Sequence, residues 1–183
     1  MDRANKKIAR GFSLLEALIA LAVASIMMVV GIPGLTNLYL DNRRTSSVND
    51  LLSGLQIARS EAIKRNRRIV ICASSDMSEC EGQWADGALA FVDDDNDTEF
   101  DNDEAVLHTV GNSGGVSINS DEFASFLIYR PNGRVMVDDV SVNSGELEFC
   151  DRRGSAHARV LLIDSSGRPR LSTVSAAGQA PSC

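Results

Sequence analysis

Aromatic residues are scarce in this 183-residue chain, at 5 %, with one tryptophan and two tyrosines. A platform that stacks single-stranded nucleic acid needs more rings, so that class is excluded. Only two histidines are present, His108 and His157, and none of the four cysteines stands in a C-x-x-C pair. Neither set has the spacing of a zinc site. There is no G-x-S-x-G elbow and no phosphate loop, and neither histidine has a nucleophile partner near it in sequence. Nothing points to an enzyme or to a cofactor. Internal repeats and low-complexity tracts are missing too. Hydrophobic residues make up 44 % and charged residues 23 %, a globular balance that excludes a disordered or collagen-like chain.

Positive charge is absent from one long stretch: residues 76–104 hold twelve acids and no base. Elsewhere the sign reverses. Residues 1–10 carry +3, residues 41–70 carry +4, and residues 121–183 set seven arginines against eight acids. With Glu16 these segments give the net charge of −7. An acidic whole therefore leaves room for a locally basic binding face.

A long hydrophobic run follows the basic start. From Phe12 to Leu35 the chain is apolar except for Ser13, Glu16 and Ser25, a run of 24 positions. A hydrocarbon core needs roughly 20. The basic residues before the run predict a cytoplasmic N-terminus. A secretory signal would be shorter and would carry its small-residue cleavage site after the apolar run. Here the small residue, Gly11, comes before it. Glu16 is also out of place in a plain anchor, because a carboxylate at that depth costs about 2.5–3.5 kcal/mol on insertion scales.

Lys7–Ile8–Ala9–Arg10–Gly11–Phe12–Ser13–Leu14–Leu15–Glu16 resembles the class III leader of type IV prepilins and type II secretion pseudopilins. The resemblance implies that prepilin peptidase cuts between Gly11 and Phe12 and methylates the new N-terminal phenylalanine. Glu16 is then the fifth residue of the mature chain. Its implied partner is the N-terminal amine of a neighbouring subunit, which neutralises the buried charge. The implied home is the inner membrane, crossed once, with the head in the periplasm and the subunit assembled into a pilus or pseudopilus beside other pilins or pseudopilins.

Pro33 lies between Gly31 and Gly34, where it removes a backbone donor and kinks a helix. Beyond it, Leu38, Val48, Leu51, Leu52, Leu55, Ile57, Ala58, Ala62 and Ile63 recur at three- and four-residue spacings. This predicts an amphipathic helix packed on a sheet. One helix is expected from about Phe12 to Asn66. Nine β-rich runs follow: residues 68–73, 88–92, 105–110, 116–119, 125–129, 134–137, 146–149, 159–163 and 170–173. Turn residues separate several of them, as at Pro131–Asn132–Gly133 and Ser165–Ser166–Gly167. The fold class is therefore α+β, with antiparallel sheets laid against the helix. The resemblance makes this a type IV pilin-like fold: leader 1–11, transmembrane helix 12–35, soluble half-helix 36–66 and β-rich head 67–183. Thr173–Cys183 reads as an irregular tail.

Leu55–Gln56–Ile57–Ala58–Arg59–Ser60–Glu61–Ala62–Ile63–Lys64–Arg65–Asn66 looks like the signature of the FimT/GspH group of minor pilins and pseudopilins. Trp84, Gly87 and Phe91–Val92–Asp93 look like a second block of the same group. Arg59, Glu61 and Lys64 are read as solvated pairs on the helix surface.

Cys72, Cys80, Cys150 and Cys183 allow three pairings, and an exported domain meets an oxidising compartment. The resemblance implies a C-terminal bridge from Cys150 to Cys183, leaving Cys72 with Cys80. Asp93, Asp95, Asp97, Glu99, Asp101 and Glu104 fall at positions 1, 3, 5, 7, 9 and 12 of a twelve-residue loop, an imitation of a calcium-binding EF-hand. Thr98 stands where that loop needs glycine, and the flanks read as strands. The favoured reading is an acidic hairpin held by Asp and Asn side-chain turns, with no metal.

Gly167–Arg168–Pro169–Arg170 resembles the Gly-Arg-x-Arg motif of the FimT minor pilins, which bind DNA during natural transformation. Two arginines one residue apart on an extended segment point to the same face, and their guanidinium groups can fork onto successive phosphates. Arg152, Arg153 and Arg159 are expected to extend the patch, with the acidic stretch 76–104 lying away from it. The resemblance thus implies a minor pilin that binds double-stranded DNA. Its rival is a GspH- or FimU-like pseudopilin that primes filament assembly for secretion or pilus biogenesis without binding DNA.

Overall fold

Ser13 starts the long helix by accepting a hydrogen bond from the Glu16 amide at 3.2 Å, an N-cap that satisfies one of the first-turn donors. The computed structural model describes residues 12–101, 103–137 and 143–183. The leader and Gly11 lie outside the described residues. Helix α1 runs from Leu14 to Arg65 and passes through Pro33. Asn66 stops it in the left-handed conformation at φ 55°, and the Arg67 amide reaches back to the Ala62 carbonyl at 3.3 Å. That six-to-one bond is the Schellman stop, one of the few places where asparagine replaces glycine readily.

The chain divides after Tyr39 into two units. In the first, Leu14, Leu18, Leu21, Ile26 and Met28 are exposed on the helix. An 18-residue window there has a mean hydropathy of 2.4, so this helix is long and apolar enough to cross a membrane.

In the second unit the helix buries Val48, Leu51, Leu55, Ala58 and Ala62, spaced alternately by three and four. Among the described residues nine strands follow: β1 (Arg68–Ala73), β2 (Ala88–Asp93), β3 (Val106–Val110), β4 (Ser117–Asn119), β5 (Phe126–Tyr129), β6 (Val135–Met136), β7 (Gly145–Cys150), β8 (Arg159–Ile163) and β9 (Pro169–Ser172). They form two antiparallel sheets, in the orders β3-β2-β1-β5-β6 and β4-β7-β8-β9. The helix seam meets Ile69 and Ile71 of the first sheet and Leu147, Phe149, Leu161 and Ile163 of the second in one core.

The first sheet is buried on its other face as well. Val70, Cys72, Leu89, Phe91 and Ile128 form a second cluster, covered by Cys80 and Phe100. Burial on both faces explains why β1 and β2 read as unbroken apolar runs without alternation. The covering residues come from the two acidic loops. Phe100 packs edge-on against Phe91 with ring centroids 5.2 Å apart, so the second loop is pinned by a ring as well as hydrated by its acids.

On the outer face of the second sheet, Glu146 accepts from the Ala176 amide, and Glu148 accepts from the amide and hydroxyl of Ser182. Irregular as expected, the tail is nonetheless strapped down at both points.

Candidate nucleic-acid interface

The β8–β9 connection is a tight turn, Asp164–Arg168. The Gly167 amide donates to the Asp164 carbonyl at 2.8 Å, and the Asp164 carboxylate accepts from the amide and hydroxyl of Ser166. The Ser166 hydroxyl holds the Asp164 carboxyl below its ordinary range, helped by the Ser166 and Arg168 amides and by the charge of Arg170. Gly167 is buried with φ 72°, where only glycine is at ease. Arg168 and Arg170 flank Pro169 and are both exposed. Among the described residues, neither forms an ion pair.

Two further arginines brace this turn. Arg59 donates from Nε to the Gly133 carbonyl at 3.2 Å, and from Nε and Nη2 to the Ser166 carbonyl at 3.3 Å. Arg59 is thus no solvated surface residue but a tie from helix α1 to two turns, while Glu61 does pair with Lys64 and Arg65 as surface residues do. Arg134, which follows the Pro131–Asn132–Gly133 turn, is exposed and donates from Nε to the Ser165 carbonyl at 3.3 Å. Neither residue was legible as part of the site. The only local hint for Arg59 was its place beside the buried seam at Ala58 and Ala62.

Arg152, Arg153 and Arg159 do not join Arg168 and Arg170. They sit at the β7–β8 end of β8, and Arg168 lies at the other end of that strand. Five residues of strand separate the two ends by about 16 Å, and Arg170, which pairs opposite Leu162, lies three residues along β8 from Arg159 and on the other face of the sheet. Arg153 is also occupied. Its guanidinium pairs with Asp151 at 2.6 Å and with Asp41 at 2.9 Å, in a cluster that includes Arg44. Arg44 donates to the His157 carbonyl as well. The Arg153 guanidinium holds the Asp151 carboxyl down at about 2. Arg159 donates to the Ala158 carbonyl and is half-buried. Arg152 alone of the three is exposed.

The expected separation from the acids fails for eight of the twelve. The connection 74–87, stapled by the Cys72–Cys80 disulfide and carrying Asp76, Glu79, Glu81 and Asp86, lies at the far end of the first sheet. The loop 94–105 and the turn 130–134 instead leave the same end. There Arg68 pairs with Asp93, Ile69 pairs with Tyr129, and β1 separates the two loops. Two strand spacings amount to about 10 Å. Arg67 neutralises Asp94 at 2.8 Å and Arg68 neutralises Asp93 at 3.1 Å.

Within that loop, carboxylate oxygens of Asp93, Asp95 and Asp97 lie within 4.8 Å of one another. Asp93 accepts from the Asn96 amide, Asp95 from the Asp97 amide and Asp97 from the Glu99 amide. Glu104 accepts from the Asp94 and Asp101 amides. Burial raises the Asp93 carboxyl despite Arg68, and burial raises that of Glu104. Thr98 takes the left-handed conformation, φ 72°, which an EF-hand gives to glycine. These are the side-chain turns of an acidic hairpin. Elsewhere, disulfides join Cys72 to Cys80 and Cys150 to Cys183, one of the three pairings open to the four cysteines. At the other extreme of the chain, Phe12 and Glu16 are exposed at the start of α1.

Residues 47–167 match the family described as Type II transport protein GspH. Residues 6–32 match the prokaryotic N-terminal methylation motif. Two crystal structures of the type IV minor pilin FimU from Pseudomonas aeruginosa strain PAO1 share the fold at 23 % identity. One covers 76 % of this chain and 93 % of its own with a TM-score of 0.56, and the other 75 % and 96 % with 0.53. No curated protein matches the sequence.

Proposed function

The chain belongs to the GspH family, with a minor-pilin fold, and from that premise we propose that it is a filament subunit whose head grips extracellular DNA through Arg168 and Arg170. Prepilin peptidase removes residues 1–11 and methylates Phe12. The apolar helix then holds the subunit in the inner membrane with its head in the periplasm, until it enters a pilus among other pilins. Glu16, exposed on the single chain, meets the N-terminal amine of a neighbouring subunit. One observation carries the DNA reading: two exposed arginines, neither in an ion pair among the described residues, presented one residue apart at a turn that two other arginines brace. Such contacts address phosphates, so binding is independent of sequence and sensitive to salt.

The acidic loop two strands away favours the second reading, an assembly-only pseudopilin. The test is fluorescence anisotropy of the full chain in detergent with two duplexes of unrelated sequence, across a salt series. Wild type is expected to bind both alike, at micromolar affinity or weaker. The Arg168→Ala, Arg170→Ala variant is expected to lose affinity for both and about one unit of salt slope per lost contact. Equal binding by wild type and variant at every salt overturns the DNA reading in favour of the assembly-only subunit.

A further inference from the structure

We infer that Arg134 is a third phosphate ligand of this surface, contributed by the other sheet and held ready by the backbone of the turn it serves. The inference rests on the DNA reading above. A guanidinium has five N–H donors in a fixed fork. Arg134 uses one, its Nε–H, on the Ser165 carbonyl. Its other four donors have no partner among the described residues, and the residue is exposed.

The Ser165 carbonyl lies three residues before Arg168 in the same turn, so this hydrogen bond places the Arg134 guanidinium beside the hairpin. The preceding residues fix its stem. The Arg134 amide donates to the Asn132 side chain, the Arg134 carbonyl accepts from the Arg130 amide, and the Gly133 carbonyl is tied to Arg59. A long side chain normally surrenders rotamer freedom when it binds; here much of that ordering is already done. Three arginines from two sheets then face a backbone whose charges recur every few ångström. The acids around this surface are Asp164, which stays ionised while Oδ1 accepts from Ser166, Glu146, two strands from Arg170, and the loop 94–105, about 10 Å from the Arg134 turn.

The experiment compares the full chain in detergent with its Arg134→Gln and Arg134→Lys variants, against the same two duplexes between 0.05 and 0.3 M salt. One lost phosphate contact removes about 0.9 from the slope of log affinity on log salt. At 0.1 M salt that corresponds to an affinity loss of about eightfold, which shrinks as salt rises. Arg134→Gln is expected to show both effects equally on both duplexes, and Arg134→Lys to recover the slope.

If wild type binds and Arg168→Ala, Arg170→Ala weakens it while Arg134→Gln changes neither affinity nor slope, Arg134 is no ligand and the DNA reading stands. If Arg134→Gln and Arg134→Lys weaken binding equally with the wild-type slope, the residue only braces the turn, and the inference is again overturned. If wild type does not bind at all, the DNA reading falls first and takes this inference with it.

Discussion

Gly167 passes so close beneath the carbonyl of Gly133 that a β-carbon added to it would lie 2.2 Å from that oxygen. The two residues belong to turns in different sheets, and Arg59 spans both by donating to the Gly133 and Ser166 carbonyls. This contact locks the arginine-bearing hairpin to the first sheet.

Gly167→Ala is therefore expected to be among the most damaging small substitutions in the head. The left-handed backbone alone costs an alanine about 1–2 kcal/mol, and the obstacle is a backbone oxygen rather than a flexible side-chain end. Together the expected loss is about 2–4 kcal/mol, read as a lower urea midpoint. A variant that unfolds with the wild-type midpoint would show that the two turns are not in contact.

How much of this was legible differs sharply between elements. Local pattern placed the helix, because Val48, Leu51, Leu55, Ala58 and Ala62 repeat at its period. It also placed all nine strands within a residue or two, since each run is bounded by turn residues. Tertiary neighbourhood was not legible. Arg153 stands fifteen positions from Arg168, but the intervening strand carries the two to opposite ends of β8. Arg134 stands thirty-one positions from Ser165 and touches it. The acidic loop and the Arg134 turn are about thirty residues apart, but strand order brings them to one end of a sheet.

That proximity gives the second prediction. Neutralising Asp95, Asp97 and Glu99 together, which have no basic partner among the ion pairs described, should strengthen DNA binding at 0.02 M salt. At 0.3 M the gain should vanish, because screening over about 10 Å is then nearly complete. Salt-independent tightening would point to a rearranged loop instead of a field effect.

Acid should loosen the start of the second unit. The folded carboxyl of Asp151 titrates at about 2, below its ordinary 3.8. Its contribution is fully present above the ordinary value and is lost as pH falls through the folded one. Asp41, held down chiefly by its hydrogen bond from Arg153, follows the same sign. The Asp151 shift alone corresponds to about 2 kcal/mol. Unfolding of Asp151→Asn should show that loss at pH 7 and a flatter pH dependence between pH 5 and 2. An unchanged profile in that window would remove the cluster from the stability account.

The two disulfides should differ in strength. The Cys150–Cys183 bridge closes a separation of 33 residues and the Cys72–Cys80 bridge one of 8. Loop-closure entropy assigns them about 4 and about 2.5 kcal/mol. Replacing Cys150 and Cys183 by alanine should therefore lower the unfolding midpoint more than replacing the other pair. The reverse order would mean that packing of Cys72 and Cys80, not chain entropy, sets the ranking.

Processing and assembly should separate at two residues. A bulky substitution of Gly11 should leave a full-length membrane precursor, and intact mass of the wild-type protein should lack residues 1–11. Glu16→Ala should insert and be cleaved but stay out of sheared filaments. Normal incorporation of that variant would dispose of the proposed pairing with a neighbour's amine.

The Cys150–Cys183 bridge also has a mechanical meaning. It closes the chain into a covalent ring that contains β8, the arginine hairpin, β9 and the strapped tail. β9 is an edge strand with one neighbour, the weakest arrangement against peeling. A tug on Arg168 or Arg170 therefore peels β9 first, but can draw out only the slack inside the ring. Beyond that point the load passes through the sulfur atoms to the end of β7, whose central place in its sheet is held from both sides.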